Sequence, residues 1–496
     1  MNHKRNLRKE AKGILDNLGQ GGISPSVYDT AWVARIPDSK NPKKPMFPRA
    51  LNWIVSNQYP NGSWGGKIEY YHDRIICALS AIVALNKYND SKKYQREIEK
   101  GEKYINSNIK NLKKDNYLTV SFELLFPALL KEAKGKKLNL LYNDSVVKKY
   151  LKIKNEKLKL LPENLIYKKL TTLSHSVEFL GNDLNKKEII KVQNSNGSFL
   201  NSPSATVYVY LKTGDQKSLE YIKEIMKKFN DAAPVNYPID IFEICWVLDS
   251  LYSMELESSF TKEIKRKIIF LKKHWGYRGM GWSTCIPLAD LDDTAIALGL
   301  FRKNGMKISP DVFENFITDG KIKCFDGEFN PSPSHIIHLY DALKECEESD
   351  FVEDLKKSCL NHITKMRNAK GYWYDKWHIS PYYTTSHAIF AFGVENEISK
   401  KAIDWIIKTQ RRDGSWGFFE KGTCEETAYC LQVLLLCYEK NKKIKKQSLE
   451  KAAGYLNDNF ESYDYPEMWI EKCLYTPFDI VRFYIILSLI KYDEVN

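Results

Sequence analysis

The chain has 496 residues, 43% of them hydrophobic, enough for about two to four domains with sizeable cores, and this excludes a disordered protein. Its formal charge of +13 comes from 75 Lys and Arg against 62 Asp and Glu. The Lys-rich stretch 103–169 is broken by Leu, Ile and Tyr at helical spacings and carries no nucleic-acid-binding motif, so it reads as solvated helix faces and no nucleic-acid partner is expected. The first 20 residues are charged and lack a secretory apolar core. The best apolar runs, Ile75 to Leu85 and Leu431 to Cys437, fall short of the roughly 20 residues that cross a bilayer. Ten cysteines with no CxxC pair then point to a cytosolic, reducing compartment.

Read in chain order, the sequence repeats itself. Gln58-Tyr-Pro-Asn-Gly-Ser-Trp64, Gln193-Asn-Ser-Asn-Gly-Ser-Phe199 and Gln410-Arg-Arg-Asp-Gly-Ser-Trp416 share one spacing, and Lys370-Gly-Tyr-Trp373 and Gly281-Trp282 are looser copies. Most copies follow an amphipathic helical stretch, and the chain resumes as a helix predicted to start near a Thr, as at Thr206, Thr294, Thr384 and Thr427. Strand signals are sparse. Helical hairpins of this kind cannot bury their faces alone, so the expected fold class is all-α, with hairpins closing into α-barrels. In each turn the Gly allows a tight backbone, the Gln can bond carbonyls left open at a helix end, and the Trp is expected to lie over the next helix. These residues read as architectural.

The chemistry is concentrated in Asp290-Leu-Asp-Asp293, which follows the run His274-Trp-Gly-Tyr-Arg-Gly-Met-Gly-Trp282 and enters an apolar stretch. If Asp290 and Asp293 are ionised beside Asp292, their repulsion raises the proton affinity of the third carboxyl, and burial acts in the same direction. A carboxylic acid held protonated among apolar and aromatic groups suits protonation of an alkene. Asp before Thr at the start of an apolar segment is equally an ordinary helix N-cap, and three carboxylates could also hold a divalent metal. His335 and His338 stand three apart and His72 adjoins Asp73, but the spacing gathers no zinc site.

Taken with the repeated turns, the motif resembles the class II terpene cyclases, the group of the hopene and copalyl-type diterpene cyclases. Ser24-Pro-Ser-Val-Tyr-Asp-Thr-Ala-Trp-Val-Ala34 is similar to the signature of copalyl diphosphate synthases, and the likeness continues through Asn61-Gly-Ser-Trp-Gly65, Phe122-Glu-Leu-Leu-Phe-Pro127, Leu173-Ser-His-Ser-Val-Glu178, Tyr237-Pro-Ile-Asp-Ile-Phe-Glu243 and Leu339-Tyr340. Trp469-Ile-Glu-Lys-Cys-Leu-Tyr-Thr-Pro477 looks like the closing segment of short bacterial members. The resemblance implies two α-barrels, a β domain of residues 1–20 plus 231–496 and an inserted γ domain of residues 21–230, with no class I α domain.

In activity, the resemblance implies that Asp292 protonates the terminal double bond of an isoprenoid diphosphate, with Asp290 and Asp293 supporting it. No DDxxD occurs, so the diphosphate is expected to stay on the product. Geranylgeranyl diphosphate giving a bicyclic copalyl-type diphosphate is the leading expectation. A farnesyl diphosphate cyclase of drimenyl type, a hopene-type cyclase and a non-enzymatic α-barrel interaction protein are the alternatives. Mg²⁺ is expected with the diphosphate, and Lys67, Arg74 and Arg35 lie near matched blocks as candidate cations. His175 falls on the position of a histidine that, with an asparagine, holds the terminating water in plant relatives. This chain departs at the second position, where Val235 aligns and Asn236 lies one residue away. A class I terpene synthase acting downstream is the implied partner.

Overall fold

The computed structural model describes residues 6–168, 170–325, 328, 331–440 and 443–495, so Met1 to Arg5 of the expected N-terminal segment lie outside the described residues. The chain divides into two compact units. One comprises Ile23–Tyr237 and Glu467–Tyr475, and the other Met1–Gly22, Pro238–Pro466 and Thr476–Asn496. The helix α1 (Leu7–Asn17) opens the latter.

The unit of residues 23–237 and 467–475 holds α2 (Val27–Ala34), α3 (Pro48–Ser56), α4 (Tyr71–Lys87), α5 (Gln95–Asn108), α6 (Phe122–Gly135), α7 (Ser145–Leu160), α8 (Glu163–Tyr167), α9 (Pro203–Thr213) and α10 (Gln216–Lys228). Here α2, α4, α6, the 3-10 segment Thr172–Leu180 and α9 pack in succession, and α9 returns to α2, which closes a ring. On the outside, α3, α5, α7 and α10 each cover one ring helix. Sequence explains which helix goes where. In α4 every residue from His72 to Leu85 is buried, as an inner helix requires, whereas α10 buries only a stripe that includes Leu219, Ile222, Ile225 and Met226.

The other unit repeats the plan with α11 (Asp240–Ser253), α12 (Thr261–His274), α13 (Leu291–Lys303), α14 (Pro333–Lys344), α15 (Asp350–Met366), α16 (Pro381–Phe392), α17 (Glu397–Thr409), α18 (Cys424–Glu439), α19 (Lys446–Asp458) and α20 (Phe478–Val495). The inner ring runs α11, α13, α14, α16, α18, α20 and closes back on α11. The helices α12, α15, α17, α19 and α1 form its outer layer. Each unit is thus an α-barrel. No described helix is long and apolar enough to cross a membrane.

The unit boundaries fall at 22/23 and 237/238, against the expected 20/21 and 230/231, and residues 467–475 group with the unit of residues 23–237. Long-range backbone bonds cause this. The antiparallel pair Pro25–Ser26 with Ala233–Pro234 ties residues 231–237 to α2. In the hairpin of Trp469–Ile470 and Leu474–Tyr475, Leu474 N–H donates to Asp73 at 2.9 Å, and Glu471 C=O accepts from Val120 N–H at 2.8 Å.

The repeated turn is one device used several times. Trp64, Trp373 and Trp416 are fully buried, and each indole N–H donates to the carbonyl ten residues earlier, at Ile54, Ile363 and Ile406, at 2.7, 2.8 and 2.8 Å. The Trp therefore stitches to the preceding outer helix, where the sequence pointed to the next one. Gln58, Gln193 and Gln410 donate to the carbonyls of Gly62, Gly197 and Gly414, which adopt φ of 92°, 84° and 92°. At Gly414 a Cβ would also strike the Lys451 backbone, so two independent constraints demand glycine there. The next helices do start near the expected Thr residues. These residues sit in the first turn, behind the caps Ser202, Asp290 and Thr423, and the hydroxyls of Thr206, Thr294 and Thr427 accept the backbone N–H of Phe199, Met280 and Trp416 at 3.0 Å each. In the copy before α13 the slot holds Met280, displacing the expected Gly281-Trp282 by two residues.

Candidate active site

The acidic motif begins as the N-cap of α13. Asp290 accepts the Asp293 backbone N–H through Oδ1 at 2.8 Å, which satisfies one open donor of the helix end. Asp290 and Asp293 are buried at 2% and 3% exposure, while Asp292 keeps 13% of its side chain exposed. Burial pushes Asp290 up to about 7, with the neighbouring Asp292 charge adding to it. Burial drives Asp293 well above the carboxylate range, reinforced by Asp290 and Asp292. Burial thus favours the protonated form of both buried acids. Asp290 and Asp293 are turned into the core, while Asp292 stays partly exposed.

Asp292 has its own partner. His338, in the second turn of α14, places Nδ1 at 2.5 Å from Asp292 Oδ1. Burial disfavours a charged imidazole, but the Asp292 carboxylate, with Asp249 on α11 and Asp341 on α14, outweighs it and raises the His338 pKa. His338 Nε2 then meets His387 Nδ1 of α16 at 3.0 Å, and His387 Nε2 meets the Tyr484 hydroxyl of α20 at 3.3 Å. Burial holds His387 well below the ordinary imidazole value, with the His338 and His378 charges next in weight, so His387 is the neutral member of the chain. Four inner helices therefore fix one acid. Sequence reasoning noted His338 only as a possible zinc ligand; its spacing from His335 marked the helix but not the partner on α13.

Aromatic rings surround this pair. Trp246 stands edge-on to His338 at 5.5 Å between centroids, and its indole N–H donates to the Tyr383 hydroxyl at 2.9 Å. Tyr383 lies 4.4 Å from His387 and 5.7 Å from Tyr429. Such faces stabilise positive charge without donating a lone pair. Tyr277, in the aromatic run before the motif, is 91% exposed and is not one of them.

The remaining sequence candidates lie in the unit of residues 23–237 and 467–475. His175 is 5% exposed, its Nδ1 stands 3.0 Å from the Leu200 carbonyl, and its Nε2 faces Glu471. Asn236 is buried next to Val235 in the segment that pairs with residues 25–26, while the partners of His175 come from residues 200 and 471. Arg35 and Arg74, expected at the diphosphate, are built into the unit instead. Arg35 bonds Glu132 at 3.1 Å and both Ser80 oxygens at 3.3 Å over the Trp32 ring. Arg74 bonds Ser63 Oγ at 2.9 Å and the Lys67 carbonyl at 3.2 Å over the Tyr59 ring. The Lys67 side chain is exposed. The signature residues are structural here as well: Tyr28 donates to Glu178 at 3.1 Å, and Asp29 accepts from Ser204 N–H at 3.0 Å.

Among the described residues, Asp73, Cys77 and Cys473 bring ligand atoms within 4.8 Å of one another. Both Asp73 oxygens already accept backbone N–H groups, from Gly66 and Leu474, and burial raises both thiols. Magnesium takes oxygen ligands in near-octahedral geometry, which this trio does not fit.

Residues 185–377 match the family model described as terpene synthase, N-terminal domain, and residues 332–460 match the squalene-hopene cyclase C-terminal domain. Together the two models span residues 185–460. Over 427 residues it is 34% identical to an ent-copalyl diphosphate synthase of Arabidopsis thaliana, covering 82% of this chain and 52% of that one. It is also 34% identical over 377 residues to a bifunctional cis-abienol synthase of Abies balsamea, covering 75% and 43%. The solved Arabidopsis ent-copalyl diphosphate synthase, in complex with (S)-15-aza-14,15-dihydrogeranylgeranyl thiolodiphosphate, superposes with TM-score 0.76 at 30% identity, over 98% of this chain and 63% of that one. The ent-copalyl diphosphate synthase of Streptomyces platensis shares the fold, with TM-score 0.78 at 22% identity over 99% and 100%. The chain belongs to the copalyl diphosphate synthase-like class II terpene cyclases, and it spans about half the length of the curated relatives it matches.

Proposed function

We propose that the chain cyclises geranylgeranyl diphosphate to a bicyclic copalyl-type diphosphate by protonating the terminal double bond from Asp292. The Asp292–His338 pair carries this reading. Because His338 Nδ1–H occupies Oδ1, a proton on Asp292 sits on Oδ2, the oxygen left for the alkene. As the proton leaves, negative charge grows on the Asp292 carboxylate, the group that raises the His338 pKa, so the contact with His338 Nδ1–H strengthens in the transition state. The cation formed on the substrate then propagates through the ring closures among aromatic faces, and the final proton is lost to a base for which His175 is the candidate.

The C20 substrate is supported by the analogue in the solved Arabidopsis relative and by the copalyl diphosphate synthases among the matches. Magnesium enters as the ion that accompanies diphosphate oxygens in water. A bacterial, cytosolic setting belongs to the same proposal, supported by ten cysteines standing as thiols, nine of them buried. A class I synthase that ionises the retained diphosphate is the matching partner.

The test is incubation with geranylgeranyl diphosphate and Mg²⁺. A bicyclic C20 alcohol should appear only after phosphatase treatment, with no pyrophosphate released during cyclisation. Pyrophosphate release in step with hydrocarbon formation would refute the assignment, and turnover confined to farnesyl diphosphate would favour the drimenyl-type alternative.

A further inference from the structure

The outer helix α12 buries Ile264, Ile268 and Leu271 against its own unit. Its opposite side repeats at helical spacing: Lys262, Lys265, Arg266, Ile269, Lys272 and Lys273 are all exposed and form one stripe. Exposed apolar residues scattered singly are ordinary. Ile269 is placed differently, 57% exposed at the centre of the stripe, with Lys265 and Arg266 one turn before it and Lys272 and Lys273 one turn after. The cations are not all there for the helix. Lys272 and Lys273 suit its C-terminal end, but Lys262 stands in the first turn, where the helix dipole disfavours positive charge. Arg266 pairs with Asp16, while Lys262, Lys265, Lys272 and Lys273 have no ion-pair partner among the described residues.

The aromatic run that follows α12 is likewise unused by the acid motif. Gly276 and Gly279 exchange backbone hydrogen bonds at 3.0 and 3.1 Å, a tight turn with Tyr277 and Arg278 at its tip. Its base is locked: a Cβ on Gly279 would strike Thr294, and Met280 N–H donates to the Thr294 hydroxyl at 3.0 Å. Tyr277 is therefore held 91% exposed on a fixed support. Eight residues separate it from Ile269, most of them helical, so the two lie within about 20 Å of each other. Beside the tip, an open hollow of about 460 Å³ is walled by Trp275, Tyr277, Ile308 and Val312, with Asp311 its acidic member.

We propose that α12 and the Tyr277 tip dock the protein on a bilayer surface that carries anionic headgroups. Charge complementarity selects the partner of the lysines, because such headgroups spread negative charge over a plane and each Lys near it strengthens binding about fivefold. Ile269 selects a fluid partner over a folded one. A protein interface gathers its apolar residues into a contiguous dry core with charges at the rim, whereas Ile269 is ringed by cations and enters only a medium that flows between them. Tyr277 fits the same boundary, with its ring at the headgroup level and its hydroxyl in water. The docking stands without the cyclase reading, and it sets the protein beside the phase in which a C20 diphosphate dissolves.

The test is flotation of the full chain, without substrate, on vesicles of mixed phosphatidylglycerol and phosphatidylcholine and on vesicles of phosphatidylcholine alone. Wild type should bind the anionic vesicles and not the neutral ones, and should be released as salt rises from about 0.1 to about 0.5 M. Lys265→Gln combined with Lys272→Gln should weaken binding by at least about tenfold, and Ile269→Ser and Tyr277→Ser by at least about threefold each. All four positions are exposed, so these variants keep their fold, as circular dichroism should show. Lys148→Gln combined with Lys152→Gln removes equal charge from the exposed side of α7 and should bind as wild type does. Equal weakening by that pair means that net charge alone attracts the vesicles, and overturns the proposal. Binding that falls with the α12 lysines but not with Ile269→Ser or Tyr277→Ser describes a surface for any polyanion, an acidic protein included, and overturns the bilayer as its occupant. A wild type that leaves anionic vesicles unbound overturns it outright. With no substrate present, none of these outcomes touches the cyclase reading, which product analysis tests separately.

Discussion

Asp292→Asn removes the transferable proton while leaving the local contacts nearly intact. The asparagine Oδ1 can still accept His338 Nδ1–H, so only a charge-assisted bond becomes a neutral one, a loss of about 1 kcal/mol. Turnover should fall by at least about 10²–10⁴-fold, which is about 3–5 kcal/mol on the barrier. Asp292→Ala behaves differently. It strands the Nδ1–H of a His338 that is 4% exposed, and leaving such a buried donor unpaired costs about 1–3 kcal/mol, or about 2–12 °C in melting temperature at about 2–4 °C per kcal/mol. The assay is product formation from geranylgeranyl diphosphate after phosphatase treatment, with circular dichroism and thermal melting of the same preparations. Turnover near wild type in a folded Asp292→Asn would refute the acid role, and equal melting losses in both variants would refute the view that Asp292 steadies His338.

Two further outcomes follow from the geometry. His338 has a raised native pKa, so the stability it contributes is fully present below about pH 6.5, the unfolded imidazole value, and is lost as pH rises through the native value; melting curves of wild type and His338→Gln should converge across that rise, and parallel curves would contradict it. Trp416→Ala removes a fully buried indole and its 2.8 Å bond to the Ile406 carbonyl, which should cost about 3–5 kcal/mol and lower the melting midpoint. An unchanged midpoint with altered products would instead place Trp416 in a substrate wall.

Local chemistry made the architecture legible in the sequence. Gly62, Gly197 and Gly414 occupy a backbone region that disfavours side chains, the Gln four residues before each reaches its carbonyl, and Trp64 and Trp416 need a large buried slot, so the turn writes itself into the chain at a fixed spacing. The inner and outer helices are equally visible, because a helix buried all round, such as α4 or α18, is apolar along most of its length with its charged residues near the ends, whereas α10 spreads Lys and Glu along a solvated face. The acid motif was readable for the same reason, being confined to one turn of one helix.

What sequence could not reach was every partner delivered from another helix. Asp292 meets His338 across 46 positions, His338 meets His387 across 49, and His387 meets Tyr484 across 97. His175 meets Glu471 only because residues 467–475 return to the unit of residues 23–237. Ring closure creates these pairs, and periodicity along one helix carries no information about which residue of a distant helix will face it. Burial acts on the same grounds: how firmly Asp290 and Asp293 hold a proton depends on the dielectric around them, which is set by packing and not by the order of Asp-Leu-Asp-Asp.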